Sequence, residues 1–273
     1  MSTDRAAFDW IRRLVEERTG NVLDEQKTYL VNARLAPIVE SEGVADVNSL
    51  VRQLQTGRHP DLEQSCVEAL LIHETSFFRD RHYFDELATQ ILPDLIEQRS
   101  STRQLTVWCA ACATGQEPYS LAMLIREQFP GLLDDWQLNF VATDLSQGAI
   151  AQAKQGSYSQ VEIGRGLTPT RTTRFFRQSN DRWSATESLR KGIQFRVHNL
   201  LTDDPPLNNV DLVLIRNVLI YMSDGCRSQI LQKVHRSMSS RSWLITGATE
   251  TLFDQSSEFV RGEASIPAYR RVD

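Results

Sequence analysis

No apolar run in this 273-residue chain approaches the roughly 20 residues that a membrane-spanning helix requires. The opening stretch, MSTDRAAFDWIRR, is charged almost at once and has no apolar core of the kind a signal peptide needs. A cytoplasmic protein without direct membrane insertion is expected. Cysteine is scarce: Cys66, Cys109, Cys112 and Cys226 in that compartment read as reduced thiols, not as a disulfide framework. Cys109 and Cys112 form a C-x-x-C, which can be redox-active or half of a zinc site. No second ligand pair follows at zinc-like spacing, so the favoured reading is two small spacers and no metal. Basic excess is also missing, since the net charge is -5, which argues against nucleic acid, a partner usually held through many phosphates. The chain further lacks the G-x-G-x-x-G of a dinucleotide site.

What is present, at 41% hydrophobic and 24% charged residues, is an ordinary globular composition with room for one to two domains. Its focal stretch is Leu105 to Met123, LTVWCAACATGQEPYSLAM, an apolar strand, a turn of small residues around Gly115, and a helix opened by Pro118. Such a turn at the carboxyl end of a strand in an open α/β sheet is where nucleotide-like ligands bind. With one glycine and with Glu117 placed to repel phosphate, the expected ligand is a nucleoside carrying positive charge.

Upstream, residues 1–80 read as an all-helical bundle. Phe8, Ile11, Leu14 and Val15 share one face; Asp24 opens a second helix through Tyr29, Leu30 and Ala33, which Pro37 should end or kink; a third spans Val47 to Gln55; and Asp61 caps a fourth. In LIHETSFFRD, Phe77, Phe78 and Arg79 read first as a packed hinge and second as a site wall. One helix should run from Arg81 to Gln98. Downstream, LNFVATDLS is a second strand ending at Asp144, where an acid commonly takes a ribose hydroxyl pair, although Asp144 can also merely cap the next helix. Residues 157–197 interrupt the α/β rhythm with eight basic side chains against Glu162, Asp181 and Glu187, and RWSATES and GIQFRVHN suggest an inserted antiparallel ribbon, after which the sheet resumes with a strand at Phe195 to Asn199. That charge points to an acidic partner or to a solvated face. VDLVLI, Val210 to Ile215, reads as a strand buried on both faces and ending in Arg216 and Asn217.

The ordered set HETSFFRD, WCAACATGQEPYS, ATDLS, HNLL and IRNVLIYM resembles the CheR-type chemoreceptor methyltransferases over nearly the whole chain. The resemblance implies a Rossmann-like S-adenosylmethionine-dependent methyltransferase domain (81–273) carrying a small antiparallel β-subdomain (about 157–197), preceded by an all-α bundle (1–80). It implies esterification of glutamates in the cytoplasmic domains of chemoreceptors, with S-adenosylhomocysteine as product and a monomeric enzyme. By the same resemblance Thr75 and Arg79 stand at the methionine end of the cofactor, Glu117 meets its amino group, Asp144 its ribose, Asn199 and Leu200 its adenine, Arg216 and Asn217 touch it from the fourth-strand edge, and Tyr221 points toward the methyl. His73 departs from the pattern, which usually has Asn there. The Ser179 to Trp183 loop looks short for a member that grips a receptor's C-terminal peptide, so weak or no binding of one is expected. A cofactor-binding module acting through protein contact, and a methylase of RNA or DNA, are the rival readings; overall acidity and the missing platform for a flipped base disfavour the second.

Overall fold

The computed structural model describes residues 3–252 and 258–272. The chain divides into two units, one running to Ile72 and taking in Tyr221–Arg227, the other taking His73–Ile220 and continuing from Ser228.

The first unit is helical. α1 (Arg5–Thr19) is capped by Asp4, whose carboxylate accepts the Ala7 N–H at 2.8 Å, and it ends at Gly20 in the left-handed conformation. Its expected face, Phe8, Ile11, Leu14 and Val15, is buried. Asp24 caps only a short 3-10 turn, Glu25–Lys27, and α2 (Thr28–Ser41) starts after it, burying Val31 and Leu35 while Tyr29 and Ala33 are exposed. Pro37 does not end α2, which continues for four residues beyond it. The carbonyl it leaves without a donor belongs to exposed Ala33, so water can serve it. α3 (Val47–Leu54) is capped by Asp46. α4 (Pro60–Leu70) takes its cap position from His59, with Pro60 in the first turn, so Asp61 stands inside the helix start and not at the cap. An antiparallel bridge joins Asn21 to Met222, and Val22 N–H donates to the Tyr221 carbonyl at 2.7 Å.

The second unit opens with the expected helical run from Arg81 to Gln98, in which α5 (Arg81–Glu86) passes without a gap through a π-helical turn (Leu87–Ile91) into α6 (Leu92–Gln98). Pro93 explains the widened turn: it cannot donate, and its ring crowds the carbonyl four residues back. Then come β1 (Gln104–Ala110), α7 (Gln116–Gln128), α8 (Gly131–Asp134), β2 (Gln137–Asp144) and α9 (Gln147–Gln155). Next are β3 (Ser157–Ser159), α10 (Gln160–Gly164), α11 (Pro169–Phe175), β4 (Phe176–Ser179), β5 (Arg182–Ala185) and α12 (Glu187–Arg190). The chain ends through β6 (Ile193–Val197), β7 (Val210–Ile215), α13 (Asp224–Ser237), β8 (Met238–Thr246), β9 (Phe259–Arg261) and β10 (Ala268–Arg271).

The main sheet has the order β6-β2-β1-β7-β8-β10-β9; its first five strands are parallel, and β10 pairs antiparallel with β8 on one side and β9 on the other. All six residues of β7 are buried, as a strand covered on both faces requires. The inserted antiparallel sheet is β3-β5-β4. GIQFRV does not belong to it: β6 pairs parallel with β2 as the edge of the main sheet. Ala110 pairs with Ile215 on one side and Thr143 on the other. The backbone therefore leaves the sheet at residues 111, 144 and 216 along one carboxyl edge, where the strand order reverses, and that is where a ligand crevice forms.

Candidate functional site

The turn after β1 is built from backbone. Ala111, Ala113 and Gly115 all have positive φ, at 54°, 48° and 95°. For the two alanines this costs roughly 1–2 kcal/mol each, and the surroundings hold them there. Cys112 N–H donates to the Thr143 carbonyl at 2.8 Å, Ala113 N–H to Asp144 Oδ2 at 2.8 Å, and the Tyr158 hydroxyl to the Thr114 carbonyl at 2.8 Å. Gly115 has no room for a side chain, since a Cβ there would stand 2.9 Å from that of Ala153. Cys109 and Cys112 are buried, and burial pushes both thiols well up, away from the thiolate that metal binding and redox chemistry use. Among the described residues no cluster of three metal-ligating side chains occurs.

Asp144, at the end of β2, is buried. Its Oδ1 accepts the Ser146 N–H at 3.0 Å, so the carboxylate is braced by backbone donors at both oxygens. His73 brings Nε2 to 3.9 Å from Asp144 Oδ1, beyond hydrogen-bond reach, and that buried nitrogen has no partner among the described residues. His198 N–H ties the end of β6 to the Asp144 carbonyl at 2.9 Å. Beyond it the Asn199 side chain accepts the Leu201 N–H at 2.9 Å, within its own turn, and Leu200 is half-buried.

At the end of β7 the Arg216 guanidinium, 2% exposed, meets Glu117 Oε2 at 2.7 Å through Nη1 and Asp80 Oδ2 at 2.8 Å through Nη2. Nη2 also reaches the Arg79 carbonyl at 3.2 Å, and the group lies 4.1 Å above the Tyr83 ring. Two carboxylates share one guanidinium, which leaves one negative charge over. Burial pushes the Glu117 carboxyl up, while Arg216 and then Arg79 pull it back down. Glu117 Oε1 carries no hydrogen bond to the described residues. Thr75 and Arg79 are half-buried, and Arg79 Nη1 donates to the Glu74 carbonyl at 3.0 Å.

Asn217 takes φ 59°, and its N–H donates to Glu250 Oε2 at 2.7 Å. Tyr221 ends a 3-10 turn (Leu219–Tyr221) and is counted with the helical unit, where its carbonyl holds Val22. The structure thus groups Glu117 with Arg216, and His73 with Asp144. Asp80, Tyr83 and Glu250 were not singled out by sequence reasoning. Asp80 stands beside Arg79 in FFRD, which was the available signal; Tyr83 reads as one more core aromatic, and Glu250 as a surface acid.

Residues 73–266 match the family described as CheR methyltransferase, SAM binding domain, and residues 6–71 match CheR methyltransferase, all-alpha domain. The chain is 38% identical over 255 residues to chemotaxis protein methyltransferase 1 of Pseudomonas aeruginosa, covering 92% of each chain. It is 36% identical over 251 residues to chemotaxis protein methyltransferase 1 of Vibrio cholerae, covering 90% of each. Chemotaxis protein methyltransferase Cher2 of Pseudomonas putida is 35% identical over 255 residues, again covering 92% of each. With both matched segments in sequence order and relatives of this likeness along almost the full length, the chain belongs to the CheR methyltransferase family and is an S-adenosylmethionine-dependent methyltransferase.

Proposed function

We propose that this methyltransferase esterifies glutamate side chains in the cytoplasmic domains of chemoreceptors, forming glutamyl methyl esters and S-adenosylhomocysteine in chemosensory adaptation. The observation that carries the reading is the surplus negative charge of the two carboxylates, Glu117 and half-buried Asp80, around the buried Arg216 on the edge that also holds Asp144. The donor set fits S-adenosylmethionine. Glu117 Oε1 suits an ammonium, the carboxylate of Asp144, held in place by backbone donors, suits a pair of ribose hydroxyls, and the orphaned His73 Nε2 suits a polar atom beside them. Arg79 and Thr75 would hold the methionine end, Asn199 and Leu200 the adenine, and Asn217 the fourth-strand side. Arg216 holds Glu117 through Nη1, and its buried Nε has no hydrogen-bond partner among the described residues, so a cofactor contact by Arg216 itself would use that atom. The fit of relatives named as chemotaxis methyltransferases supports the receptor substrate.

When bound, the cofactor supplies an electrophilic methyl on a sulfonium. A substrate glutamate is ionised at neutral pH, with a reference pKa of about 4.3, so no general base is needed. Arg79 presents paired donors to the acceptor carboxylate and the Tyr221 hydroxyl its second oxygen, so that orientation supplies most of the rate. The inserted segment supports docking on an acidic surface, but with less free charge than its composition suggests. Arg165 pairs with Glu74 at 2.9 Å, Arg171 pairs with Glu127 at 2.8 Å, and Arg182 is turned onto Ser157. Calorimetry with a receptor C-terminal peptide should show weak binding or none, and micromolar affinity would contradict that.

Transfer of labelled methyl from S-adenosylmethionine into receptor-bearing membranes tests the activity. Base-labile label is expected in receptor, reduced in Arg79→Ala and Tyr221→Phe. Cofactor binding without incorporation would sink the enzyme reading, and wild-type transfer by both variants would sink the two roles.

A further inference from the structure

We infer that Glu250 is a positioning residue for the methyl-transfer edge, fixing the backbone that carries Asn217. Its residue is 5% exposed, and its carboxylate collects three backbone donors. Oε2 accepts Asn217 N–H at 2.7 Å and Gly247 N–H at 2.6 Å, and Oε1 accepts Ile220 N–H at 3.1 Å. Among the described residues no Lys, Arg or His forms an ion pair with it, so these donors carry the burden of its charge. The turn is closed further by the Thr246 hydroxyl, which donates to the Glu250 carbonyl at 2.6 Å.

Two features show that the arrangement is built for close approach. A Cβ on Gly247 would stand 2.5 Å from Glu250 Oε2 and 3.0 Å from both Asn217 N and Nδ2. Asn217 itself holds φ 59°, a left-handed conformation that needs outside support. The loop after β8 thereby sets the first residues after β7, on the edge where Arg216 meets Glu117. A surface carboxylate or a mere strand terminator would need neither the glycine nor three donors.

The assignment rests on the proposed contact of Asn217 with the cofactor, and the test separates the two. S-adenosylhomocysteine is titrated by calorimetry into the full chain as wild type, Glu250→Gln, Gly247→Ala, Asn217→Ala and the Glu250→Gln/Asn217→Ala double variant, with folding checked by circular dichroism. The two loop variants are expected to fold and to lose roughly tenfold in affinity, the size expected when buried donors lose their acceptor. The double variant is expected to be no weaker than Glu250→Gln alone, since both act through one group. Wild-type affinity in either folded loop variant, or losses that multiply in the double variant, would overturn the inference. So would failure of both to fold, which would make Glu250 a residue of the fold alone. A wild-type Asn217→Ala with weakened loop variants would instead remove the Asn217 contact and leave Glu250 acting on its neighbours, which also overturns the assignment as stated.

Discussion

Arg216 stabilises two carboxylates from inside the protein, and among the described residues neither partner forms an ion pair with another cation. Removing it strands both charges. Arg216→Met should therefore lose about 3–5 kcal/mol of stability, the range for breaking a buried pair from one side, as read from urea unfolding; a loss below about 1 kcal/mol, typical of surface pairs, would show that the charges are solvated. The raised Glu117 has a second consequence. An ammonium ligand favours its ionised form, so binding releases a proton from any protein that held one there, and affinity for S-adenosylhomocysteine must fall as the pH falls. Because burial has moved the group up, the fall should begin above the ordinary glutamate range. Glu117→Gln should bind more weakly at neutral pH and flatten that acid limb; an unchanged limb would assign it to another group. At this scale Gly115, Glu117, Asp144 and Arg216 were legible, because each is a small or polar interruption at the end of an apolar run. Asp80 and Glu250 were not, because their meaning lies in partners 136 and 33 residues away.

Between elements, the stretch from His73 to Asp80 is held against the inserted segment by shape more than by charge. A Cβ on Gly166, at φ 103°, would stand 1.8 Å from the Phe77 carbonyl oxygen, and the Phe77 ring packs edge-on at 5.0 Å from Tyr158 and 5.4 Å from Phe176. The Glu74–Arg165 pair on the same seam is exposed on both sides. Gly166→Ala should thus cost at least about 2 kcal/mol, from backbone strain and displacement together, whereas Arg165→Gln should leave stability nearly unchanged. Thermal unfolding of the two variants checks the order, and the reverse order would mean that the seam is electrostatic. The hinge and site-wall readings of Phe77 and Phe78 are compatible here, since both rings are buried while Arg79 beside them is not. Element boundaries were less legible than element types. Pro37 does not terminate α2, because the carbonyl it leaves without a donor belongs to an exposed residue. Phe195 to Val197 was legible as main-sheet strand, while the residues just before it also fitted the ribbon, because alternation alone cannot tell an edge strand of one sheet from a strand of another.

For the whole molecule, any ligand that binds only the folded state stabilises it by mass action. S-adenosylhomocysteine at one hundred times its Kd should add about 2.7 kcal/mol, visible as a rise in melting temperature that Asp144→Asn reduces; no rise at that excess would contradict binding at the β1–β7 edge. The order of strands in the main sheet was not derivable from the chain, because parallel partners are distant in sequence and periodicity records only burial. The bridge between Asn21 and Met222 carries one further implication, for synthesis on the ribosome. Its two halves lie about two hundred residues apart, and at about 5–20 residues per second the second half follows the first by about 10–40 s. The helical unit is begun first, yet its edge stays open until β1, β2, β6 and β7 have all been translated.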